Sequence, residues 1–203
     1  MTGRCPIAWG VAMKALKGES ESGDLHCVRA HDGGLLLAAV DGLGHGPEAA
    51  EAAQRAVGIL TRHAGEPLPG LVRRCHEELL DTRGVVMSLA AADRSGRTVA
   101  WVGVGNVEGV ILRADPDRVT PRDRLVLRGG AIGVRLPAVQ VSTVPVGPGD
   151  LLILATDGID DGFERDLRPQ AEPQALADWI LARHGREKDD ALVLVAQFDG
   201  RAG

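Results

Sequence analysis

The first part of the chain carries a strand pattern and then a helical one. Two apolar runs, 25–30 and 35–40, flank His31-Asp32-Gly33-Gly34, a sequence that is typical of a hairpin turn. Residues 7–15 form a further extended segment. After Pro47 the apolar residues recur at steps of three and four, which predicts a helix with one buried face. That face contains Ala49, Ala53, Ala56, Val57 and Leu60.

A second helix is predicted over 69–81, and from Gly84 onwards the pattern returns to strands separated by turn residues. These predicted strands cover 85–92, 98–104, 107–112, 139–146, 151–155 and 191–198. A third helix over 172–184 precedes the last strand, and its apolar face would contain Leu176, Trp179 and Ile180. Neighbouring strands with segregated helices predict an α+β fold in which two antiparallel sheets are flanked by helices.

Length and charge narrow the class of protein. The 203 residues predict a single domain spanning 1–203. Hydrophobic residues make up 44% and charged residues 25%, which together are typical of a folded chain. The net charge of −5 argues against general nucleic-acid binding. We expect no membrane association and a cytoplasmic location, because no apolar run reaches membrane-spanning length and the first ten residues lack a signal-peptide core.

Four aspartates occupy similar positions, at the end of a predicted strand or at its entrance. They are Asp24, Asp41, Asp157 and Asp189. A glycine follows two of them, which lets the backbone come close enough for its carbonyl to act as a ligand as well. Oxygen ligands of this kind suit hard divalent cations. An Asp-Gly pair by itself is more often a plain turn than a ligand, so the hypothesis of a metal site depends on the combination.

The loop after Asp41 contains three glycines and leads directly into the first predicted helix. A glycine-rich loop at a helix start is a geometry that binds anions, although the loop lacks the nucleotide-binding patterns. His45 lies within it, and two interpretations of this residue remain open. It could donate a proton or contact substrate beside the metals, since histidine titrates near neutrality. It could equally cap the loop or line the site.

With these residues in place, the chain resembles a known family. The segment Asp41-Gly-Leu-Gly-His-Gly46, followed by an alanine-rich helix, resembles the metal-binding signature of PPM-type metal-dependent serine/threonine phosphatases. It is most similar to their SpoIIE/RsbX-like branch. The other matching segments follow in the family's order: Ser22-Gly23-Asp24, 104–108, 128–133, Thr156-Asp157-Gly158 and Asp189-Asp190.

The resemblance implies an αββα sandwich with a two-ion centre of Mn²⁺ or Mg²⁺ at one end. Asp41 would be catalytic and bridge the ions, and the carbonyl of Gly42 would bind one of them. Asp157 and Asp189 would hold the other ion. Asp24 would lie on the side of the second ion.

Two features depart from the family pattern, and Asp190 has a secondary role. Ala191 stands in the region where the family often has a hydroxyl residue, and no arginine near the N-terminus matches the one that grips phosphate in many PPM phosphatases. Asp190 matches a more variable position, so it is expected behind the ligands.

The activity implied by the resemblance is hydrolysis of phosphoserine or phosphothreonine in proteins, by attack of a metal-activated water on phosphorus. The implied substrates are phosphorylated STAS-domain regulators of partner-switching or stress complexes, acted on by a stand-alone catalytic domain. Two alternatives remain at this point. The chain could be a catalytically silent, phosphatase-like binding module, or a metal hydrolase of small phosphoesters.

Overall fold

Two β-sheets stack face to face between helices in a computed structural model of the chain, which describes residues 7–19, 21–115, 122–165, 167 and 172–199. The elements in chain order are β1 (Ile7–Lys14), β2 (Asp24–His31), β3 (Gly34–Gly42), α1 (Pro47–Arg62), α2 (Leu68–Glu78), β4 (Val85–Asp93), β5 (Thr98–Val104), β6 (Glu108–Leu112), β7 (Arg122–Arg124), β8 (Leu127–Arg128), β9 (Ser142–Pro145), β10 (Leu151–Ala155), a short 3₁₀ helix (Phe163–Arg165), α3 (Pro173–His184) and β11 (Ala191–Phe198).

The strands form two separate sheets. One has the order β1-β11-β10-β6-β7, and the other has the order β2-β3-β4-β5-β8, with β9 also paired to β5. Strand pairs within the described residues are antiparallel, apart from the short parallel pair between β5 and β8.

The central strand β3 is apolar on both faces because it lies between two layers. Leu35 and Leu37 face the other sheet, whereas Leu36 and Ala38 face helices α1 and α2. Successive side chains of a strand point to opposite faces, so a strand covered on both sides needs a continuous apolar run. This explains why 35–40 shows no polar alternation.

The last strand, β11, has the same construction on the other side of the molecule. Leu192 and Leu194 face the space between the sheets, and Val193 and Val195 face helix α3. Helix α3 crosses β1 in backbone contact at Gly10, where an added Cβ would lie 2.3 Å from the Cα of Gln174. The layers are therefore helix, sheet, sheet, helix, which confirms the predicted αββα fold.

Several predicted boundaries differ from the observed ones. The second helix ends at Glu78 rather than at position 81, and the strand predicted over 139–146 is paired only over Ser142–Pro145. The prediction that Trp179 lies on the buried face of α3 was wrong. Its ring packs near His184 and Arg183 with 38% of the residue exposed, and Ala177 fills the core position instead. Within the described residues, no helix is long and apolar enough to cross a bilayer.

Candidate metal centre

The β2–β3 hairpin brings the first two predicted ligands together. Asp24 lies directly opposite Asp41 in the antiparallel register, and paired residues of this kind project from the same face of a sheet. The amide of Gly42 donates to the carbonyl of Gly23 at 3.0 Å, which extends the pairing by one step. Both carboxylates therefore lie at one end of the space between the two sheets.

Gly42 allows helix α1 to approach this end of the hairpin. An added Cβ at Gly42 would lie 2.1 Å from the carbonyl oxygen of Ala49, in the first turn of the helix. A side chain would separate the helix from the strand, so the glycine after Asp41 has a packing role beside any role as a ligand.

Thr156 links this hairpin to the opposite sheet. Its buried hydroxyl donates to Oδ2 of Asp24 at 2.6 Å and accepts the amide of Leu192 at 2.9 Å. The threonine follows β10, so one side chain connects the ends of β10 and β11 to Asp24. This contact sets the position of the Asp24 carboxylate.

Asp157 comes next along the chain and is held from two sides. The side-chain amide of Asn106 donates to its Oδ2 at 2.7 Å, and Nη1 of Arg186 donates to its backbone carbonyl at 2.6 Å. The following Gly158 packs against the last motif, since an added Cβ there would lie 1.8 Å from the carbonyl oxygen of Asp190. The two acidic motifs from distant parts of the chain are thus in contact.

Asp190 uses both carboxylate oxygens for backbone amides. Oδ1 accepts the amide of Leu16 at 2.7 Å, and Oδ2 accepts the amide of Gly23 at 2.9 Å. The residue is only 5% exposed. It fastens the segment before β2 and so positions Asp24, which is consistent with its expected place behind the ligands.

The electrostatic environment of Asp41 disfavours a negative charge. The pKa of Asp41 is raised to about 8, mainly by burial and then by the nearby carboxylates of Asp24, Asp157, Asp189 and Asp190, in that order. Within the described residues, no lysine or arginine forms an ion pair with Asp41. Several carboxylates thus lie near enough to Asp41 to raise its pKa, and a nearby cation, Arg186, partly offsets the repulsion at Asp189.

Asp24 and Asp189 respond in the same direction. The pKa of Asp24 is raised to about 7: burial is the largest cause, the hydrogen bond from Thr156 opposes it, and the charges of Asp190, Asp157 and Asp189 add to it. Burial is also the largest cause that raises the pKa of Asp189, followed by the charge of Asp157. A divalent cation placed among these groups would reverse the penalty on their ionised forms.

These oxygen donors suit hydrated magnesium or manganese ions. They do not form a closed site in which the protein supplies every ligand. Among the residues described, no three Asp, Glu, His or Cys side chains form a ready-made ligand cluster. Magnesium does not need one, because it keeps several waters and is commonly bound through one or two carboxylates. The chemistry of the donor set, carboxylate oxygens that repel one another, is therefore compatible with hydrated divalent ions.

His45 lies outside the group of carboxylates. Its ring is 67% exposed, and Nδ1 lies 3.0 Å from Oε1 of Glu19. The glycines on either side, Gly44 and Gly46, have φ values of 91° and 80°, which hold the loop in a conformation that side chains disfavour. The structure thus places His45 in the exposed glycine loop, four positions after Asp41 and next to the carboxylate of Glu19.

The family of the chain follows from a match to its sequence. A family model described as stage II sporulation protein E (SpoIIE) matches residues 31–199. The chain belongs to the SpoIIE family. The match covers Asp41, Gly42, Asp157 and Asp189, and it begins after Asp24. It confirms the resemblance to the SpoIIE/RsbX-like branch of PPM-type phosphatases.

Several known proteins are similar to this chain in length and fold. Phosphoserine phosphatase RsbX of Bacillus subtilis (strain 168) is 26% identical over 183 residues, covering 90% of each chain. A chain solved in work on the bacterial stressosome, a modular system adapted to control secondary messenger signalling, is 30% identical. Its TM-score is 0.85, and the superposition covers 94% of this chain and 99% of that one. RsbX in complex with magnesium is 22% identical with a TM-score of 0.84, covering 95% and 96%.

Sequence reasoning had not assigned a function to three residues of this SpoIIE-family site. They are Thr156, Asn106 and Arg186, which hold the backbone or carboxylates of Asp24 and Asp157. Thr156 and Asn106 lie within segments of the sequence that resemble the family. That resemblance could have identified them as residues of the site. Arg186 lies 29 positions from Asp157 and carried no signal of its own.

Proposed function

We propose that this SpoIIE-family chain is an active, metal-dependent phosphatase of phosphoserine or phosphothreonine in regulatory phosphoproteins. The observation that carries the proposal is the arrangement of its aspartates. Asp24 and Asp41 face each other across a hairpin, and their pKa values are raised first by burial and then by nearby carboxylates that include Asp157 and Asp189. A scaffold that only bound partners would gain nothing from retaining such mutual repulsion.

The proposed centre takes two Mn²⁺ or Mg²⁺ ions. Asp41, the carbonyl of Gly42, Asp157 and Asp189 would hold them, and Asp24 would lie on the side of the second ion. The crystal structure of RsbX with magnesium, which shares the fold, supports the choice of a hard divalent ion. The number of ions is part of the proposal.

When bound, such ions acidify a coordinated water and neutralise the charge that develops on a phosphoryl group. The residues of this chain keep the ligands in place for that chemistry. Thr156 orients the Asp24 carboxylate, Asn106 orients that of Asp157, and Asp190 holds the segment before Asp24. Fixed donors of this kind around a ligand set strengthen metal binding.

His45 is proposed as the group that protonates the leaving serine or threonine oxygen. Glu19 engages Nδ1 of the ring, which leaves Nε2 as the atom for proton transfer. The exposed position of the ring in the glycine loop leaves it accessible to a protein substrate. General acid catalysis suits an alkoxide leaving group, which is a strong base.

The proposed substrates are phosphorylated STAS-domain proteins of a partner-switching or stress complex. Two of the similar proteins support this direction, namely the phosphoserine phosphatase RsbX and the chain solved in work on the bacterial stressosome. The cytoplasmic location and the single domain predicted above remain predictions.

The deciding experiment measures phosphate release from a phosphorylated STAS-domain protein with Mn²⁺, with Mg²⁺ and with a chelator. We expect release only with a metal, and none from the Asp41→Asn variant. Tight binding of the phosphoprotein without release under every condition would identify a silent binding module instead. Release from small phosphoesters alone would identify a different hydrolase.

A further inference from the structure

All three lysines of the chain line one surface cavity. They are Lys14, Lys17 and Lys188, and the cavity has a volume of about 490 Å³. The rest of its described lining is Ala15, Leu16 and Glu187. Residues from the end of β1 and from the segment before β11 are thus gathered around one space, with three positive charges and one negative charge.

This lysine cavity adjoins the candidate metal centre. Lys14 pairs with Ala191, the first residue of β11, in the register of the two strands. The amide of Leu16, between the first two lysines, donates to Oδ1 of Asp190 at 2.7 Å. Lys188 stands two positions before Asp190 in the chain. The lysine cavity is therefore connected to the segment before Asp24 through Asp190, whose other carboxylate oxygen accepts the amide of Gly23.

The three ammonium groups are free to bind an external anion. Among the described residues, none of them forms an ion pair with a carboxylate, whereas arginines such as Arg74 and Arg113 do. Lys17 and Lys188 are exposed, and Lys14 is partly exposed. The lysine ammonium is a compact charge on a flexible side chain. It can therefore follow carboxylates whose positions vary, whereas the planar guanidinium of arginine suits one carboxylate in a fixed position.

We propose that the lysine cavity binds an acidic segment that flanks the phosphorylated residue of the protein substrate. This inference rests on the proposed phosphatase function and extends it to the substrate sequence. The chain as a whole has a net charge of −5, and its metal centre is lined by aspartates. An acidic substrate therefore needs a local positive surface to approach, and complementary charge of this kind raises both the encounter rate and the specificity.

The test compares two fluorescein-labelled phosphoserine peptides that differ only in having glutamates or glutamines around the phosphoserine. Fluorescence anisotropy at low salt gives the Kd of each. We expect the wild type to prefer the glutamate peptide by roughly tenfold, since each exposed ion pair contributes a factor of about 1.5 to 5. In Lys14→Gln/Lys17→Gln/Lys188→Gln the ratio should fall close to one.

A matched control removes a positive charge from the other sheet, at the end opposite Asp41. Arg94 is exposed in the turn that follows β4. The last residue of β4 pairs with Gly34, which begins β3, whereas Asp41 lies near the other end of that strand. Arg94→Gln should keep the wild-type preference. An unchanged preference in the triple lysine variant, or an equal loss in Arg94→Gln, would overturn the proposal. If the triple variant does not fold, Lys17→Gln alone should still lower the ratio, and no change there overturns the proposal too.

Two further arms separate the possible causes. The preference for glutamate should persist with unphosphorylated peptides, because the cavity is proposed to bind carboxylates. A preference that vanishes without the phosphate would assign the lysines to the phosphoryl group and refute the docking site. Phosphate release from the same peptides is measured separately. If the glutamate preference is intact but no phosphate is released, the phosphatase function is refuted and the docking site in the cavity is not.

Discussion

Asp41 faces Asp24 across the hairpin, and its pKa is raised to about 8, mainly by burial. Asp41→Asn removes a proposed metal ligand but keeps the size of the side chain. We therefore expect phosphate release to fall to background, with an unchanged circular dichroism spectrum. In the metal-free protein the Tm should rise, because one of several mutually repelling carboxylates is gone. Activity close to wild type in the purified variant would refute the assignment.

The two aspartates before β11, Asp189 and Asp190, have different proposed roles. Asp190 holds the amides of Leu16 and Gly23, whereas Asp189 is the proposed metal ligand. Asp189→Ala should abolish activity and weaken Mn²⁺ binding measured by calorimetry. Asp190→Ala should mainly lower stability, by about 1–3 kcal/mol for the amides left without a partner, with a smaller loss of Mn²⁺ affinity. The reverse pattern would mean that Asp190 is the ligand.

The size of the activity loss on substitution should distinguish His45 from the proposed metal ligands. A general acid contributes about 10²–10⁴-fold, so His45→Ala should keep weak activity on a phosphoprotein and should still bind Mn²⁺. The loss should be smaller on p-nitrophenyl phosphate, whose leaving group needs little protonation. Equal losses on both substrates, with Mn²⁺ affinity intact, would indicate a positional role in the glycine loop.

At the scale of elements, the approach of α1 to the end of β3 depends on Gly42. Its added Cβ would lie 2.1 Å from the carbonyl of Ala49, and backbone cannot move aside as a flexible side chain does. Gly42→Ala should therefore destabilise the chain by about 1–3 kcal/mol, a fall in Tm of several degrees. The matched control is Gly129→Ala, because a Cβ there meets open space. Similar melting temperatures of the two variants would show that the helix can shift without cost.

At the scale of the whole molecule, the stability of the metal-free protein should depend on pH. The folded-state pKa values of about 8 for Asp41 and about 7 for Asp24 lie above the ordinary value of 3.8. The folded chain therefore keeps protons that the unfolded chain releases, so the free energy of unfolding falls as pH rises from about 4 to about 8. Calorimetric melting in a chelator should show a lower Tm at the alkaline end.

Saturating Mn²⁺ should raise the Tm and reduce this pH dependence, because the ions bind the folded, ionised site. The Asp41→Asn variant should show a weaker dependence than the wild type when both are free of metal. A wild-type Tm that rises over the same pH range without metal would contradict the described repulsion.

Most of the fold could be predicted because apolar periodicity is a local signal. The runs at 151–155 and 191–198 coincide with β10 and β11, and the alanine face after Pro47 coincides with α1. The same reasoning wrongly placed Trp179 on the buried face of α3. Helical spacing shows that residues share a face but not where the buried face ends, and Ala177 rather than the tryptophan packs against the sheet.

The sequence by itself determined which residue types stand at strand ends, and those motifs were sufficient to indicate the family. Only the tertiary structure decided which of them meet. Thr156 reaches Asp24 across 132 positions, and Asp190 reaches Leu16 across 174, because stacking the sheets brings distant strand ends to one edge. The gathering of all three lysines beside that edge has the same origin. Contacts between distant residues depend on how the layers pack, and no local pattern of polar and apolar residues encodes them.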